Sequence, residues 1–529
     1  MNSSPNRNTE SNTTTSLSHQ ESSSDEASAS SYVDPSSNDL TIWPGAALIV
    51  ADCMGTGILA LPNDLKVLGI FGLVFLVINL PINFYAGDLL HKAASTAEIR
   101  LAAKTNGFVS GAEYNSVSVQ EGSASSHGRS DEWDYEDEPM TAKMELSKGA
   151  ESHDPHHTGI DTPHTSDFIG LTYALFDHFG HGGKHTKTNA QTSVSTATIL
   201  VTIIYYVNIF LVLGNYILVM SHAVAAGFGE ENICLPTAGV IASTLMFAIS
   251  QLRTMAMLGR SASVISLISL AIVVVQCLVA IQMGNDRFSY ENEEENANVD
   301  NSLWQSLVSQ LAALSSIGFA VGSQKLFLNI RHEFADRDAA PKSLGIALIS
   351  FGAVYLLVCL LAGPDPPSLL FDAISIGPQR RIAGFLLWVQ VAVSFAINSQ
   401  ALCSSLDRLK FHRVTIFGLG ERHRARWGVL TFLVAISSYL IANAVPFFKD
   451  LVALIGALTS IPLTLLLPAL YHRKVIDAPL FWIGPGSCTD ICSLSLIIFS
   501  IIFLICGVVG SISSIEMDWT NHGPPFACH

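Results

Sequence analysis

The 529-residue sequence is poor in charge, and its basic residues are especially few. Asp, Glu, Lys and Arg make up 14% of the chain, and its 28 Lys and Arg are scattered. Sparse basic residues without a cluster argue against a nucleic-acid partner. The net charge of −16 is concentrated in polar segments such as 131–138 and 291–295, so it indicates little about other partners.

Patterns typical of metal and catalytic sites are also missing. The nine cysteines lie mostly in apolar runs, and the one close pair, Cys488 and Cys492, lacks further ligands. The histidines between 153 and 185 lack the Cys or carboxylate partners of a metal site, which favours solvated loop residues. No apolar run contains a convergent His–Glu or Ser–His group, so we expect neither an enzyme nor a bound cofactor.

Long apolar runs are what the sequence does have. Half of the residues are apolar and the mean hydropathy is +0.40. Several runs reach the ~20 residues that a helix needs to cross a bilayer, which predicts an all-α integral membrane protein. Eleven transmembrane helices are predicted, at about 46–62, 67–90, 195–221, 235–252, 257–281, 303–329, 344–361, 382–404, 427–444, 451–471 and 492–515.

Polar segments flank and interrupt these runs. Residues 1–39 are rich in Ser, Thr, Asn and Asp, a composition that predicts a disordered tail. They contain no basic stretch followed by a short apolar core, so no cleavable signal peptide is expected. The segment at about 92–163 is predicted to be a disordered insert, and the segment 167–180 that follows it is more apolar.

Two of the predicted helices are interrupted in their middle. The first contains Gly55-Thr56-Gly57, and each glycine lowers helix propensity by about 1 kcal/mol relative to alanine. The sixth is predicted to be interrupted near Ala320-Val321-Gly322-Ser323. Within a bilayer, broken backbone persists only where protein or a wet cavity satisfies its polar groups, as at transporter substrate sites. A glycine-kinked packing helix is the alternative, because small residues are common at helix contacts in membranes.

Two motifs, GTGILALP at 55–62 and GFAVGSQKLF at 318–327, resemble the amino acid/auxin permease family, within the amino acid–polyamine–organocation superfamily. The first motif is similar to the first helix of that family, and the second motif to the sixth helix. The second motif departs from the family at 328–330, where Leu-Asn-Ile stands in place of Pro-Glu-Ile. The resemblance runs from about Leu40 to Ile515. Within it, segment 167–180 resembles the short cytosolic helix that precedes the third span of the family, so a short helix is expected there.

The resemblance implies a LeuT-type fold, with two inverted repeats of five helices and broken helices 1 and 6. The repeats would span 40–281 and 303–472, followed by an eleventh helix at 488–515 and a C-terminal tail at 516–529. In this fold the N–H groups of the first break bind a substrate carboxylate and the carbonyls of the second bind its ammonium. The implied substrate residues are Met54, Gly55, Thr56, Gly57, Tyr216, Phe319, Ala320, Gly322 and Ser323. For Thr56, Ser323 and Tyr216, simple packing is the alternative role.

The resemblance also bears on which ion could drive transport. Sodium-coupled relatives place Asn four residues before the first glycine of the motif, where this chain has Ala51. Protons, or no coupling, are therefore favoured over sodium, although Ser394 and Asn398 could still supply oxygen ligands.

Asp52 and Lys325 are the only two ionisable residues that we place deep in the membrane. Charges at that depth usually pair or line a wet pathway. We predict that the two residues face each other at an inner gate and separate when it opens. In the alternative, Lys325 extends towards the cytosol and Asp52 bonds the unwound backbone.

The distribution of Lys and Arg predicts the orientation, because cytosolic loops carry an excess of both. The loops on the side of the N-terminus contain Arg253, Arg260, Arg331, Arg337, Lys342, Arg408, Lys410, Arg413, Arg422, Arg424, Arg426, Arg473 and Lys474. Those on the other side contain only Lys66, Arg287, Arg380, Arg381 and Lys449. The N-terminus is therefore predicted to be cytosolic. Cys234 and Cys528 would both lie outside and could pair.

Pattern and resemblance together predict a multi-pass secondary active transporter of amino acids that works by alternating access. Its membrane would be the plasma membrane or that of a vacuole or lysosome, and cytosolic regulators could bind the tail and the 92–163 insert. Two alternatives stay open: a receptor that senses amino acids without transporting them, and a carrier of an auxin-like indole acid.

Overall fold

A computed structural model describes nine stretches of the chain: residues 40–105, 165–178, 195–229, 233–251, 255–295, 303–408, 423–476, 488–522 and 525–526. The predicted tail 1–39 and most of the predicted insert lie outside these stretches. Within them the one β pairing is a single bridge between Leu40 and Phe334.

The described chain is built from helices. In order they are α1 (Ile42–Cys53), α2 (Gly57–Leu68), α3 (Ile70–Thr105), α4 (Phe168–Thr172), α5 (Thr196–Phe228), α6 (Leu235–Ile249), α7 (Met255–Glu295), α8 (Leu303–Val321), α9 (Phe327–His332), α10 (Ala340–Leu361), α11 (Pro378–Arg408), α12 (His423–Ala444), α13 (Phe448–Ile455), α14 (Leu467–Val475) and α15 (Cys488–His522). Two π-helical turns, Gly456–Ser460 and Pro462–Leu466, join α13 to α14.

Eight helical segments in the described stretches are long and apolar enough to cross a membrane, and α1 with α2 would make a ninth. Large apolar side chains such as Ile70, Ile349 and Ile505 are more than half exposed, as expected of a surface that faces lipid. Each of the eleven predicted spans falls on helix. Two do not pass the same test: α6 has only 15 residues, and α8 carries several Ser and Gln. The eleven-span arrangement therefore stays a prediction.

Both predicted helix breaks are present. α1 and α2 meet at an angle of 60° across residues 54–56. α8 ends at Val321, a 3₁₀ turn follows at Ser323–Lys325, and α9 begins at Phe327. The expected short helix at 167–180 is also found, as α4 continued by a π-helical turn to His178. It begins at Asp167, whose carboxylate accepts from the N–H of Gly170 at 2.6 Å.

Several predicted helix ends are wrong because the helix is longer. α7 continues to Glu295 rather than Ile281. α3 continues to Thr105 rather than Leu90, so residues 92–105 belong to a helix and not to the insert. Buried residues three and four apart (Leu90, Ala93, Ala94 and Ala97) give this extension a packed face among its polar residues. α2 runs past Pro62 to Leu68, and α13 begins at Phe448, which makes Asp64 and Asp450 helical residues.

The helices pack around α5, whose residues from Val212 to Ala226 are almost all buried. α5 contacts α6, α11 and α12, while α2 packs on α8, and α1 packs on α7 and α10. The bridge at Leu40 lies at the face of the bundle where α1 begins, which we call the α1 face. The ion pair between Lys66 and Asp365 lies at the opposite face. Cys234 is in a disulfide, and Cys528 lies outside the described residues.

Among the described glycines, Gly456 is the one at which an added Cβ would come nearest to the backbone of another helix. A Cβ atom at this position would overlap the backbone carbonyl of Ser315 in α8, which cannot swing aside as a side chain could. We therefore expect Gly456→Ala to lower the free energy of unfolding by about 1–3 kcal/mol, as overpacked cores do. Thermal unfolding of the detergent-purified protein measures this. Gly227→Ala is the matched control, because a Cβ there would meet nothing within 4 Å. Equal melting temperatures for the two variants would contradict the prediction.

Candidate functional site

The first break is held in a tight turn. The N–H of Met54 closes α1 on the carbonyl of Val50 at 2.9 Å. The N–H of Leu59 then bonds the carbonyl of Thr56 at 3.2 Å, three residues back instead of four. Thr56 is fixed by a third element, because Asn215 of α5 donates its amide to the Thr56 hydroxyl at 2.7 Å. Both side chains are buried.

The second break lies against the first. The N–H of Gly322 bonds the carbonyl of Phe319 at 3.2 Å, which ends α8. A Cβ at Gly57 would stand 3.1 Å from both Cα and Cβ of Ala320, so glycine at 57 lets α2 approach α8 closely. The start of α2 and the end of α8 therefore meet where the two helices are interrupted.

Tyr355 of α10 joins the two breaks. Its hydroxyl donates to the carbonyl of Cys53, the last residue of α1, at 2.8 Å. It also lies 3.3 Å from the carbonyl of Ala320 near the end of α8. The side chain is fully buried. One hydroxyl thus serves the carbonyl ends of both interrupted helices.

Two cavities adjoin the breaks. The central cavity has a volume of about 20 Å³. Its lining residues come from the breaks, from α5 and from α11: Asp52, Cys53, Thr56, Gly57, Tyr205, Asn208, Ile209, Val212, Tyr216, Phe319, Lys325, Leu326 and Asn398. A second cavity of about 280 Å³ shares Asp52, Tyr205 and Leu326 with the first and extends to Asp167 and Glu333 at the α1 face.

Seven of the predicted site residues line the central cavity together. They are Asp52, Thr56, Gly57, Tyr216, Phe319, Lys325 and Asn398. Ser394 lines the larger cavity instead.

The other five predicted residues lie in the breaks and line neither of these cavities. They are Met54, Gly55, Ala320, Gly322 and Ser323. A Cβ at Gly55 would lie 3.9 Å from the Tyr216 hydroxyl, whereas one at Gly322 would press on Thr464. The Ser323 hydroxyl is buried without a hydrogen-bond partner among the described residues.

Asp52 and Lys325, the two charged residues of the central cavity, each contact a different residue rather than each other. Asn398 approaches the Asp52 carboxylate with its amide at 3.5 Å. The Lys325 ammonium lies 4.1 Å from the centre of the Phe319 ring, a cation–π contact. Among the ion pairs of the described residues none joins Asp52 to Lys325, so their direct pairing at a gate stays a prediction.

Asp52 and Lys325 are not the only ionisable residues of the described helices that are buried in the bundle. Asp64 of α2 is 4% exposed and Asp450 of α13 is 1% exposed. The sequence interpretation ended the first helix at Pro62 and began the tenth at Leu451, which left both carboxylates in loops. In the structure each helix extends past its aspartate.

Several polar residues of the site were not singled out from the sequence. Tyr205 and Asn208 line the central cavity, and the amide oxygen of Asn208 accepts from Thr459 at 2.9 Å. With Asn215 and Tyr216 they lie along one apolar run, at helical spacings of three, seven and one residues. Polar side chains that recur on one helix in a membrane usually face the protein interior, and this signal could have found them. Tyr355 is a single tyrosine in an apolar run and gives no comparable signal.

At the α1 face, a buried arginine ties α9 to the extended end of α3. Arg331, 2% exposed, donates to both carboxylate oxygens of Glu98, at 2.7 and 3.0 Å. It also donates to Ser95 at 2.8 Å and to Nδ1 of His91 at 3.1 Å. Two parallel bonds to one carboxylate fix both position and orientation. The half of the sixth helix that follows the break is therefore anchored to α3.

Removing the carboxylate partner of Arg331 should be costly, because it leaves a buried charge without compensation. We expect Glu98→Gln to lower the free energy of unfolding by ~3–5 kcal/mol, measured by thermal unfolding in detergent. Asp88→Asn is the control on the same helix, since Asp88 pairs with the exposed Lys92 and such surface pairs contribute only ~0–1 kcal/mol. If both variants unfold at the same temperature, Glu98 does not anchor α9.

The chain matches known proteins over much of this structure. The sequence profile of the family described as "Transmembrane amino acid transporter protein" matches residues 176–513. That range includes the second break, α5, α10 and α11, and begins after α1, α2 and α3.

Similar curated proteins come from Arabidopsis thaliana. Amino acid transporter AVT1E is 23% identical over 345 residues, which cover 62% of this chain and 61% of the relative. Amino acid transporter AVT1C is 25% identical over 349 residues, covering 62% of this chain and 58% of the relative. In each case the alignment spans less than two thirds of the relative. The family profile covers more than half of the chain, which therefore belongs to the transmembrane amino acid transporter family, a family of transporters and not of enzymes.

Proposed function

We propose that the protein is a secondary active transporter that moves amino acids across a membrane by alternating access. The observation that carries this proposal is the meeting of two interrupted helices, at Gly57 and Ala320, beside a cavity with polar walls. Discontinuous helices of this kind form the substrate site of many secondary transporters. The family supports the substrate class.

The two ends of an amino acid find complementary groups at the breaks. α2 begins at Gly57, and the first N–H groups of a helix together with its dipole favour a carboxylate. The carboxylate of Asp52, with the negative ends of the α1 and α8 dipoles, favours an ammonium. Asn215 orients the Thr56 hydroxyl from behind, and Tyr216 and Phe319 supply aromatic walls.

The cavity volumes support alternating access. A cavity of 20 Å³ has room for about one water molecule and not for an amino acid, so the breaks must move apart to admit substrate. The 280 Å³ cavity leads from Asp52 only towards the α1 face, and it borders α1 and α9, the two half-helices on that side. We take it as the vestibule of one face, while the opposite face is closed by the packing of α2 on α8.

The proposal includes the LeuT-type arrangement, with α1 to α7 and α8 to α14 as inverted repeats and α15 as the eleventh span. The excess of Lys and Arg at the α1 face supports a cytosolic N-terminus. The vestibule would then open to the cytosol. The plasma membrane and a vacuolar or lysosomal membrane both fit this orientation, and regulators could reach the N-terminal tail and the insert from the cytosol.

Coupling to protons, or none, is favoured over coupling to sodium. In broken-helix transporters the unwound carbonyls commonly hold the coupling cation. Here the carbonyls of Cys53 and Ala320 face the Tyr355 hydroxyl instead. Ala51 stands where sodium-coupled relatives have an asparagine, and this also argues against sodium. Ser394 and Asn398 are weaker candidates for sodium ligands, because the Asn398 amide already donates to the carbonyl of Ser394 at 2.9 Å.

The broken-helix site is tested by uptake into proteoliposomes. We expect Gly57→Leu to reduce uptake of a labelled amino acid panel by about tenfold or more, since forced overpacking costs about 1–3 kcal/mol. Gly227→Leu, on the open end of α5, is the control and should transport normally. Normal uptake by both Gly57→Leu and Gly55→Leu would contradict the proposed site. Binding without uptake by the unmodified protein would indicate a receptor, and uptake of an indole acid alone would indicate the other alternative.

The role of the Tyr355 hydroxyl is tested by Tyr355→Phe. The substitution keeps the ring and removes the donor, and an unsatisfied buried acceptor costs about 1–3 kcal/mol. We expect uptake to fall about tenfold or more. Tyr471→Phe is the matched control, because Tyr471 is equally buried but bonds Thr172 away from the cavity. Uptake by the unmodified protein should be the same in sodium and in choline, and a requirement for sodium would overturn the coupling proposal.

A further inference from the structure

A second group of buried charges lies at the opposite face from the vestibule. It consists of Asp64 of α2, Lys449 and Asp450 of α13, and Asp518 of α15, which we call the aspartate cluster. None of the four lines either cavity described above. The cluster joins the outer half of the first broken helix to the two helices that pack behind it.

Asp450 has one carboxylate oxygen satisfied and one not. Oδ1 accepts from the hydroxyl of Ser514 in α15 at 2.7 Å. Oδ2 is buried and has no donor among the described residues, in a side chain that is 1% exposed. Asp518 follows Ser514 by one helical turn on α15 and pairs with Lys449, the neighbour of Asp450, which places its carboxyl group beside that of Asp450. Two ionised carboxylates offer only acceptors to each other, so the two groups can form a hydrogen bond only when a proton lies between them.

The charges around the pair also favour a bound proton. The Lys449 ammonium pairs with Oδ2 of Asp518 at 3.0 Å and is the cluster's single cation. Asp64, 4% exposed, has its carboxylate bonded by the hydroxyl of Ser316 in α8 at 2.5 Å. With three carboxylates ionised, the cluster would hold two uncompensated negative charges inside the bundle, which is costly in a membrane.

The elements packed against α13 add little charge of their own. α2 contributes Asp64 and the exposed Lys66, which pairs with Asp365, and α15 contributes Asp518 and the exposed Glu516. α8 offers the neutral hydroxyl of Ser316, and α5 carries one titratable side chain towards this end, the partly buried His222. The proton therefore has its closest acceptors in Asp450 and Asp518.

We propose that Asp450 and Asp518 share a bound proton, and that the aspartate cluster is a proton-binding site separate from Asp52 and Lys325. With the proton in place, a carboxyl–carboxylate bond holds α13 to α15. Without it, the two carboxylates repel each other and the contact loosens.

The cluster is connected to the substrate site through the outer half-helices. Asp64 and Gly57 both belong to α2, and Ser316 and Ala320 both belong to α8. These halves pack on each other at Gly57 and Ala320. A change in protonation at the opposite face can therefore bias the packing of the two halves that close that face. This link to transport rests on the proposed function, whereas the proton site itself does not.

The proton site is tested on the purified full-length protein in detergent by counting protons taken up during an acid titration. We expect Asp450→Asn to bind about one proton fewer than the unmodified protein, because one shared proton belongs to the pair. Asp518→Asn should show the same deficit and is the second variant if the first fails to fold. Asp365→Asn, at the same face but exposed, is the control and should match the unmodified protein in the range where the deficit appears.

Infrared difference spectra provide a readout that needs no transport. The unmodified protein should show a protonated carboxyl band that both asparagine variants lose. Ser514→Ala, which removes a hydrogen bond but no titratable group, should keep it. Absence of the band in the unmodified protein at neutral pH would overturn the proposal, as would equal proton counts in the variants and the unmodified protein.

Uptake at two pH values on the cluster side then separates the two proposals. In Asp450→Asn residue 450 cannot ionise. The ratio of uptake at the two pH values should therefore be at least threefold smaller in this variant than in the unmodified protein or in Ser514→Ala. A proton deficit with unchanged pH dependence would overturn the link to transport and leave the proton site standing. A proton deficit in a protein that takes up no amino acid would mean that the proposed function had failed and the site had not.

Discussion

The structure depends on one constraint, the need to satisfy backbone polar groups that two helix breaks release inside a membrane. Water is scarce there, so each freed N–H and carbonyl needs a partner from protein or from a cavity. The Tyr355 hydroxyl serves the carbonyls of Cys53 and Ala320. Asn215 holds Thr56, and Gly57 brings the breaks together so that their polar groups share one small cavity. The helices that supply these groups, α5 and α10, are continuous and can hold them in place.

The presence of the breaks could be predicted from the sequence, but their partners could not. Gly55 and Gly57 are local signals in an apolar run, and local propensity acts on neighbouring residues. Tyr355 lies 302 residues from Cys53 and Asn215 lies 159 residues from Thr56. A contact between such distant positions depends on how whole helices pack, which no single stretch of sequence encodes. The residues of the central cavity were therefore predicted best at the two breaks and least well on α5.

Helix ends were also predicted poorly, because the predicted ends were placed where hydropathy falls. Apolar content falls after Leu90, after Pro62 and before Leu451, which is where the predicted helices stop or start. The helices continue because Ala93, Ala94 and Ala97 still pack, and because Asp64 and Asp450 find hydroxyl partners in Ser316 and Ser514. A membrane helix can thus contain a polar turn wherever another helix packs against that turn, and hydropathy alone does not detect such packing.

The two ends of the bundle hold their charges in different ways, and this difference bears on how each end could open. At the α1 face Arg331 gives Glu98 two direct bonds, and Ser95 and His91 accept further bonds, so α9 is anchored by a fully partnered pair. At the opposite face Asp450 keeps one oxygen without a donor. A fully partnered buried pair strongly resists separation, because both charges would lose compensation at once. An under-partnered carboxylate loses less, and its contacts change when a proton binds or leaves. With the proton that we propose for Asp450 and Asp518, rearrangement at the opposite face is the step that pH would bias.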